Sequence, residues 1–169
     1  PKLLGGMLFW PPVVTKKGEY QRLITYGLVH ADFTHLLFNM ITLYFFGRIV
    51  ESFYQARMGD FGFAFFYTLG LVASILPSWY RHRHDPDYRS LGASGAVMGV
   101  LFASILFDPW MLIYVFGAVP VPAIVYAVLY MGYEIWADRR GGDRVNHSAH
   151  IWGAAYGVAF TLCVDPSVA

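Results

Sequence analysis

The chain has 169 residues, 57% of them apolar and only 14% charged, with a mean hydropathy of +0.46, whereas soluble domains carry about 25% charged residues. That composition excludes disorder and argues against a water-soluble globule. With 12 Lys plus Arg against 11 Asp plus Glu, the net charge of +1 gives no field for a polyanion such as nucleic acid, and the single Cys163 forms no internal disulfide and belongs to no zinc-type spacing.

Residues 1–30 hold an apolar stretch too short to cross a bilayer, broken at Pro11-Pro12 and followed by Lys16 and Lys17. They read as an interfacial loop, half embedded at the headgroup level through Phe9, Trp10, Tyr20 and Tyr26. The chain neither opens on Met nor shows a cleavable signal, which reads as a processed or truncated form. After the loop, uncharged runs recur at about the 20 residues that a spanning helix needs. They predict transmembrane helices over 31–54, 61–80, 90–107, 121–136 and 146–165, the first extended beyond its uncharged part by pairing or snorkelling of Arg48 and Glu51. Pro109, Pro120 and Pro122 turn the stretch before the fourth helix into a bent or interfacial connection, not a further span. Residues 1–169 are thus predicted to form one domain, an all-α, polytopic membrane helical bundle with five transmembrane helices.

Short connections force successive spans to alternate in direction, so the first, third and fifth begin on one side of the membrane. Each carries neutral polar residues a few positions in: His35 and Asn39, then Ser94, then His150. At 1.5 Å per residue they lie roughly 6 to 12 Å inside their helix ends, within reach of a shallow aqueous cavity. One such residue alone is more often interhelical glue, worth about 0.6 kcal/mol. A hydroxyl, an imidazole and two donors converging from three helices favour chemistry instead. Gly95 and Gly99 on one helix, and Ala149, Gly153 and Gly157 on another, repeat small residues at intervals of four. That spacing lets two backbones approach and brings Ser94 towards His150. His150 then acts as the base for Ser94, with the Asn39 amide, the His35 ring and the Ser94 backbone N–H as oxyanion donors, and the helix N-terminus adds a favourable dipole. The second and fourth helices offer no comparable cluster, and no carboxylate is expected at that depth in another span. The expectation is a Ser-His dyad and not a triad.

Three motifs stand in order along the chain. They are His30 with His35-Leu36-Leu37-Phe38-Asn39 (an HxxxN pattern), Gly92-Ala93-Ser94-Gly95 (GxSG), and Ala149-His150-Ile151-Trp152-Gly153 with Gly157 (AHxxGxxxG). On these the chain resembles the rhomboid family of intramembrane serine proteases, over essentially its whole length. The resemblance implies a rhomboid-like fold of six helices, five visible here and the first expected upstream of Pro1. It implies Ser94 as nucleophile, His150 as general base, and His35 and Asn39 in the oxyanion hole. Gly92, Gly95, Gly153 and Gly157 match the motif glycines, Arg22 the arginine of the family's membrane-embedded first loop, and Glu51 its buried structural glutamate. Two departures stand out: the loop reads Gln21-Arg22 instead of Trp-Arg, and Met98 occupies a place where some bacterial members stack a tyrosine on the catalytic histidine. A sulfur contact with an aromatic ring is expected there.

The implied activity is that of an intramembrane serine endopeptidase, hydrolysing peptide bonds in or near transmembrane segments through an acyl-enzyme on Ser94, with no cofactor and no metal. Its partners would be a transmembrane protein substrate and membrane lipids, and its place the cell (inner) membrane, as an integral multi-pass protein. Substrates with helix-destabilising sequences and a small residue before the scissile bond are implied, entering near the first loop, because an intact helix hides its carbonyls in hydrogen bonds. The alternative is a catalytically inactive rhomboid-like binder or escort of membrane proteins. A small transporter or channel is disfavoured by the confinement of the polar cluster to one depth. Arg81-His82-Arg83-His84 reads as a solvated loop, and neither HExxH nor GxGD occurs. Of the 12 basic residues, only Arg48 and Arg57 lie opposite the site. The positive-inside rule therefore turns the site to the cytoplasm, whereas the resemblance turns it outward and is given more weight.

Overall fold

Three short helices, α1 (Lys2–Met7), α2 (Pro11–Lys17) and α3 (Arg22–Thr25), precede five long ones: α4 (Phe33–Met58), α5 (Gly62–His82), α6 (Ser94–Phe107), α7 (Ala123–Arg140) and α8 (His147–Val164). The computed structural model describes residues 2–168; Pro1 and Ala169, the ends of the predicted domain, and the Lys2 side chain lie outside the description. α4 and α5, with 26 and 21 residues, reach about 39 and 32 Å against a hydrocarbon core of about 30 Å. These two are long and apolar enough to cross a membrane. α6 has 14 residues and extends only about 21 Å.

Residues 1–30 depart from the expected half-embedded loop. Pro11 and Pro12 do not break a helix but open α2, where proline's missing N–H is no loss and its fixed φ suits the first turn. Phe9 and Tyr26 are not at a headgroup surface but buried in the protein. The Phe9 backbone pairs with Ser90 as an antiparallel bridge, and the Tyr26 hydroxyl donates to the Leu71 carbonyl at 2.7 Å. Trp10 is half-buried, under the Arg89 guanidinium at 3.5 Å, while Tyr20 stays exposed. The buried Arg22 ties the segment together by donating to the Gly5 and Leu8 carbonyls at 2.9 and 2.7 Å and to Glu19 at 2.7 Å.

The protein is mostly helical, as expected, and the exception follows α6. The proline-rich connection is a two-stranded antiparallel hairpin, β1 (Leu112–Val115) with β2 (Val119–Pro122), registered Leu112 to Pro122 and Val115 to Val119. Its tip turns through positive φ at Phe116 and Gly117.

Glu51 is exposed and not a buried glutamate. The buried stripe of α4 runs through Asn39, Gly47, Val50 and Tyr54 at helical spacing, and Glu51 stands off it. Arg48 lies 5.9 Å over the Tyr44 ring, and among the described residues no ion pair joins it to Glu51.

α6 is the central element, packed against α4, α5, α7 and α8. Its seam with α8 is built on glycines. A Cβ on Gly153 would fall on the Gly95 carbonyl, and one on Gly157 on the Gly99 carbonyl. Only hydrogen at these positions allows the approach. At one end of the bundle, the Arg57 Nε near the end of α4 donates to Asp165 just after α8 at 2.7 Å. At the other end, Asn146 caps α8 by accepting from the Ala149 N–H at 3.1 Å, while its amide donates to Ser90 Oγ at 3.3 Å, ahead of α6. The starts of α6 and α8 therefore lie together, and the far ends of α4 and α8 meet at the opposite pole.

Candidate active site

Ser94 is the first residue of α6, four residues later than the predicted span begins, so it stands at the helix N-terminus and not some way inside. The first helical bond of α6 joins the Val97 N–H to the Ala93 carbonyl at 3.0 Å. The N–H groups of the turn before it have no intrahelical partner and remain open as donors at the helix start. Gly92 shapes the approach: its φ is +102° and a Cβ there would meet the His35 ring. The glycine thus lets the His35 imidazole lie directly against the segment leading to Ser94.

His150 sits one turn into α8, and the glycine seam carries its Nε2 to 2.7 Å from Ser94 Oγ. The His150 side chain is 12% exposed. His35 packs edge-on against His30, with ring centres 5.0 Å apart, and its backbone N–H donates to the N-cap Asp32 at 2.8 Å. Burial, and then the neighbouring His35, draw the His30 pKa below the ordinary histidine value. Asn39, one turn beyond His35 on the same face, is 5% exposed, and its Nδ2 is buried without a hydrogen-bond partner. A free buried donor of this kind is costly, and a developing oxyanion is what it suits.

Among the remaining motif residues, Gly95, Gly153 and Gly157 lie in the α6–α8 seam, Arg22 pins the N-terminal segment, and Glu51 lies on the surface away from the site. Met98 is half-buried in a cluster that also takes in Tyr126. The aromatic hydroxyl nearest to His150 comes from α7, where Tyr130 OH lies 3.5 Å from Nδ1.

The sequence reading missed a carboxylate. Glu134 of α7 is 2% exposed, and its Oε1 lies 3.0 Å from His150 Nδ1. Its Oε2 lies 2.6 Å from Nδ1 of His147, whose Nε2 in turn faces Asp143 Oδ2 at 2.9 Å. The expected bare dyad is therefore corrected: a buried carboxylate does stand on His150. Successive helices alternate in direction, so the even ones end where the odd ones begin, and Glu134 lies close to the C-terminus of α7. Asp143, in the connection between α7 and α8, has its pKa held below the ordinary carboxylate value, chiefly by the hydrogen bond from His147. Glu134, His147 and His150 each offer one ligand-type atom, all within 4.8 Å of one another. They form the one group among the described residues suited to a metal ion, although the same atoms are already engaged with each other and with Ser94.

Comparison with known proteins adds to this geometry. The family model described as "Rhomboid domain" matches residues 17–166. The chain is 31% identical over 151 residues to "RHOMBOID-like protein 12, mitochondrial" of Arabidopsis thaliana, covering 83% of this chain and 45% of that protein. It is 30% identical over 154 residues to "Rhomboid-like protein 11, chloroplastic" of the same plant, covering 82% and 50%. To "Putative rhomboid protease YdcA" of Bacillus subtilis (strain 168) it is 30% identical over 171 residues, covering 94% and 78%. The chain thus spans about half the length of the two plant relatives.

Proposed function

The chain belongs to the rhomboid family, and from that premise we propose that it is an intramembrane serine endopeptidase acting on transmembrane segments of other membrane proteins. The observation that carries the reading is the 2.7 Å approach of His150 Nε2 to Ser94 Oγ from two different helices. A serine hydroxyl is a poor nucleophile until a base takes its proton, and a neutral imidazole is matched to that task near neutral pH.

The chemistry runs as follows. Ser94 Oγ attacks the scissile carbonyl carbon as its proton passes to His150 Nε2, and the carbonyl π pair moves onto oxygen. The oxyanion is stabilised by the open N–H groups at the start of α6, the unpaired Asn39 amide and the His35 ring. Collapse breaks the C–N bond, and the leaving amine takes the proton from His150. Water, activated by the same imidazole, then hydrolyses the acyl-Ser94 ester and frees the serine.

In this reading α4 to α8 are five membrane spans, the membrane is the cell (inner) membrane, and no cofactor takes part. The substrate helix must unwind before its carbonyls are available, which supports the preference for helix-destabilising segments.

The test is to incubate the protein in proteoliposomes with a fluorophosphonate probe and a transmembrane reporter peptide. Covalent labelling is expected to map to Ser94, and Ser94→Ala is expected to lose both labelling and cleavage. Cleavage that persists in Ser94→Ala would overturn the reading. A wild-type protein that binds the reporter yet neither reacts nor cleaves would replace it with the escort alternative.

A further inference from the structure

Glu134 asks for an explanation that helix packing does not give. A carboxylate within a membrane bundle is expensive unless both oxygens are satisfied, and here each oxygen faces a different imidazole. Oε1 lies 3.0 Å from His150 Nδ1 and Oε2 2.6 Å from His147 Nδ1. The two histidines stand three residues apart on one face of α8, so a single side chain from α7 bridges them.

We infer that Glu134 is a positioning residue for His150, held ionised by His147, and that the site works as a Ser94-His150-Glu134 triad. This rests on the peptidase reading above. An ionised carboxylate only accepts hydrogen bonds, so Nδ1 of His150 carries the proton and donates to Glu134. Nε2 is then left bare towards Ser94, the tautomer that a general base needs. When the Ser94 proton arrives, the carboxylate steadies the imidazolium without taking its proton. His147 completes the set. Carboxylate oxygens face both of its ring nitrogens, Glu134 on one side and Asp143 at 2.9 Å on the other, so both N–H groups donate and the ring is a cation. That cation cancels the Glu134 charge inside the bundle, and Asp143, half exposed, anchors it at the loop. The relay thus runs from the candidate nucleophile through two histidines and two carboxylates to the edge of the molecule.

The test measures kcat and KM for a fluorogenic transmembrane peptide, and the rate of fluorophosphonate labelling of Ser94, in proteoliposomes. Glu134→Gln keeps the shape and removes the charge. It is expected to lower kcat by about a hundredfold to ten-thousandfold with KM within about twofold, and to slow labelling in parallel. Glu134→Asp, which restores the carboxylate, is expected to recover at least about tenfold of that loss. A Glu134→Gln protein with wild-type kcat, in a preparation whose wild type labels at Ser94, overturns the inference and leaves the peptidase reading standing. So does a folded Glu134→Asp no better than Glu134→Gln, which would mark a role in packing alone. Where Glu134→Gln does not fold, His147→Gln carries the same test: a fall in kcat of about tenfold or more at constant KM supports the relay, and an unchanged kcat overturns it. Wild-type cleavage that is lost in a chelator and restored by zinc would also overturn it, in favour of a metal held by the same three side chains.

Discussion

Asn39 separates a chemical role from a packing role within one side chain. Its Nδ2 is buried and unpaired, so truncation relieves a desolvated donor instead of breaking a bond. Asn39→Ala is therefore expected to leave the thermal midpoint unchanged or slightly raised. If the amide serves the oxyanion, kcat falls about a hundredfold to a thousandfold in the same variant, the usual cost of one donor. A lower midpoint with unchanged kcat would assign it to packing. Asp143 gives a residue-scale prediction in pH. Its carboxyl is held below the ordinary value chiefly by His147, so the folded state favours the ionised form. The resulting stability is fully present above the ordinary carboxylate range near 3.9 and is lost as pH falls through the depressed native value. The difference in thermal midpoint between wild type and Asp143→Asn should be constant from about pH 7 to 5 and shrink below about pH 4.

The seam between α6 and α8 is where two elements make the site. A Cβ on Gly153 meets backbone of Gly95 and cannot be relieved by turning a flexible side chain, so the helices must separate. Gly153→Ala is expected to cost about 1 to 3 kcal/mol and to slow fluorophosphonate labelling of Ser94 as His150 is displaced. Gly132 on α7 has nothing within 4 Å of an added Cβ, and Gly132→Ala should change neither. This seam was legible in the sequence, because small residues at intervals of four on two strongly apolar segments have few other uses. Three features were not. The hairpin after α6 hides behind Pro109, Pro120 and Pro122, which announce a bend without saying that Leu112–Val115 and Val119–Pro122 pair across it. The helices α1 to α3 are too short for periodicity to register, and Phe9 and Tyr26 found protein partners where an amphipathic reading gave them lipid. Glu134 lies where an uncharged run ends, a position that reads as a span boundary until α7 is seen to continue to Arg140.

At the scale of the whole molecule, the interior is largely apolar, as in a water-soluble fold, but so is much of the exterior. Glu134, His147, Asn39, Ser74, Ser104 and Thr161 are buried, while Phe38, Phe45, Val128 and Leu129 are among the large apolar side chains left exposed. Water would penalise that apolar exterior, whereas a bilayer rewards it and obliges the buried polar groups to partner inside. The Tyr54 and Thr161 hydroxyls, 2.8 Å apart and buried, follow that rule between α4 and α8. If α7 and α8 cross the bilayer, the connection at 141–146 and the segment after α8 lie on opposite faces, and the hairpin tip shares the side of that last segment. Cys163 is the sole cysteine and is exposed, so a Cys163→Ser background frees the chain for single labels. In sealed vesicles, an impermeant maleimide is expected to reach Gly142→Cys from one face, and Ala118→Cys and Ser167→Cys only from the other, after permeabilisation. Labelling of Gly142→Cys and Ser167→Cys from the same face would mean that α8 does not cross, and would remove the shared depth on which the approach of His150 to Ser94 beneath the headgroups depends.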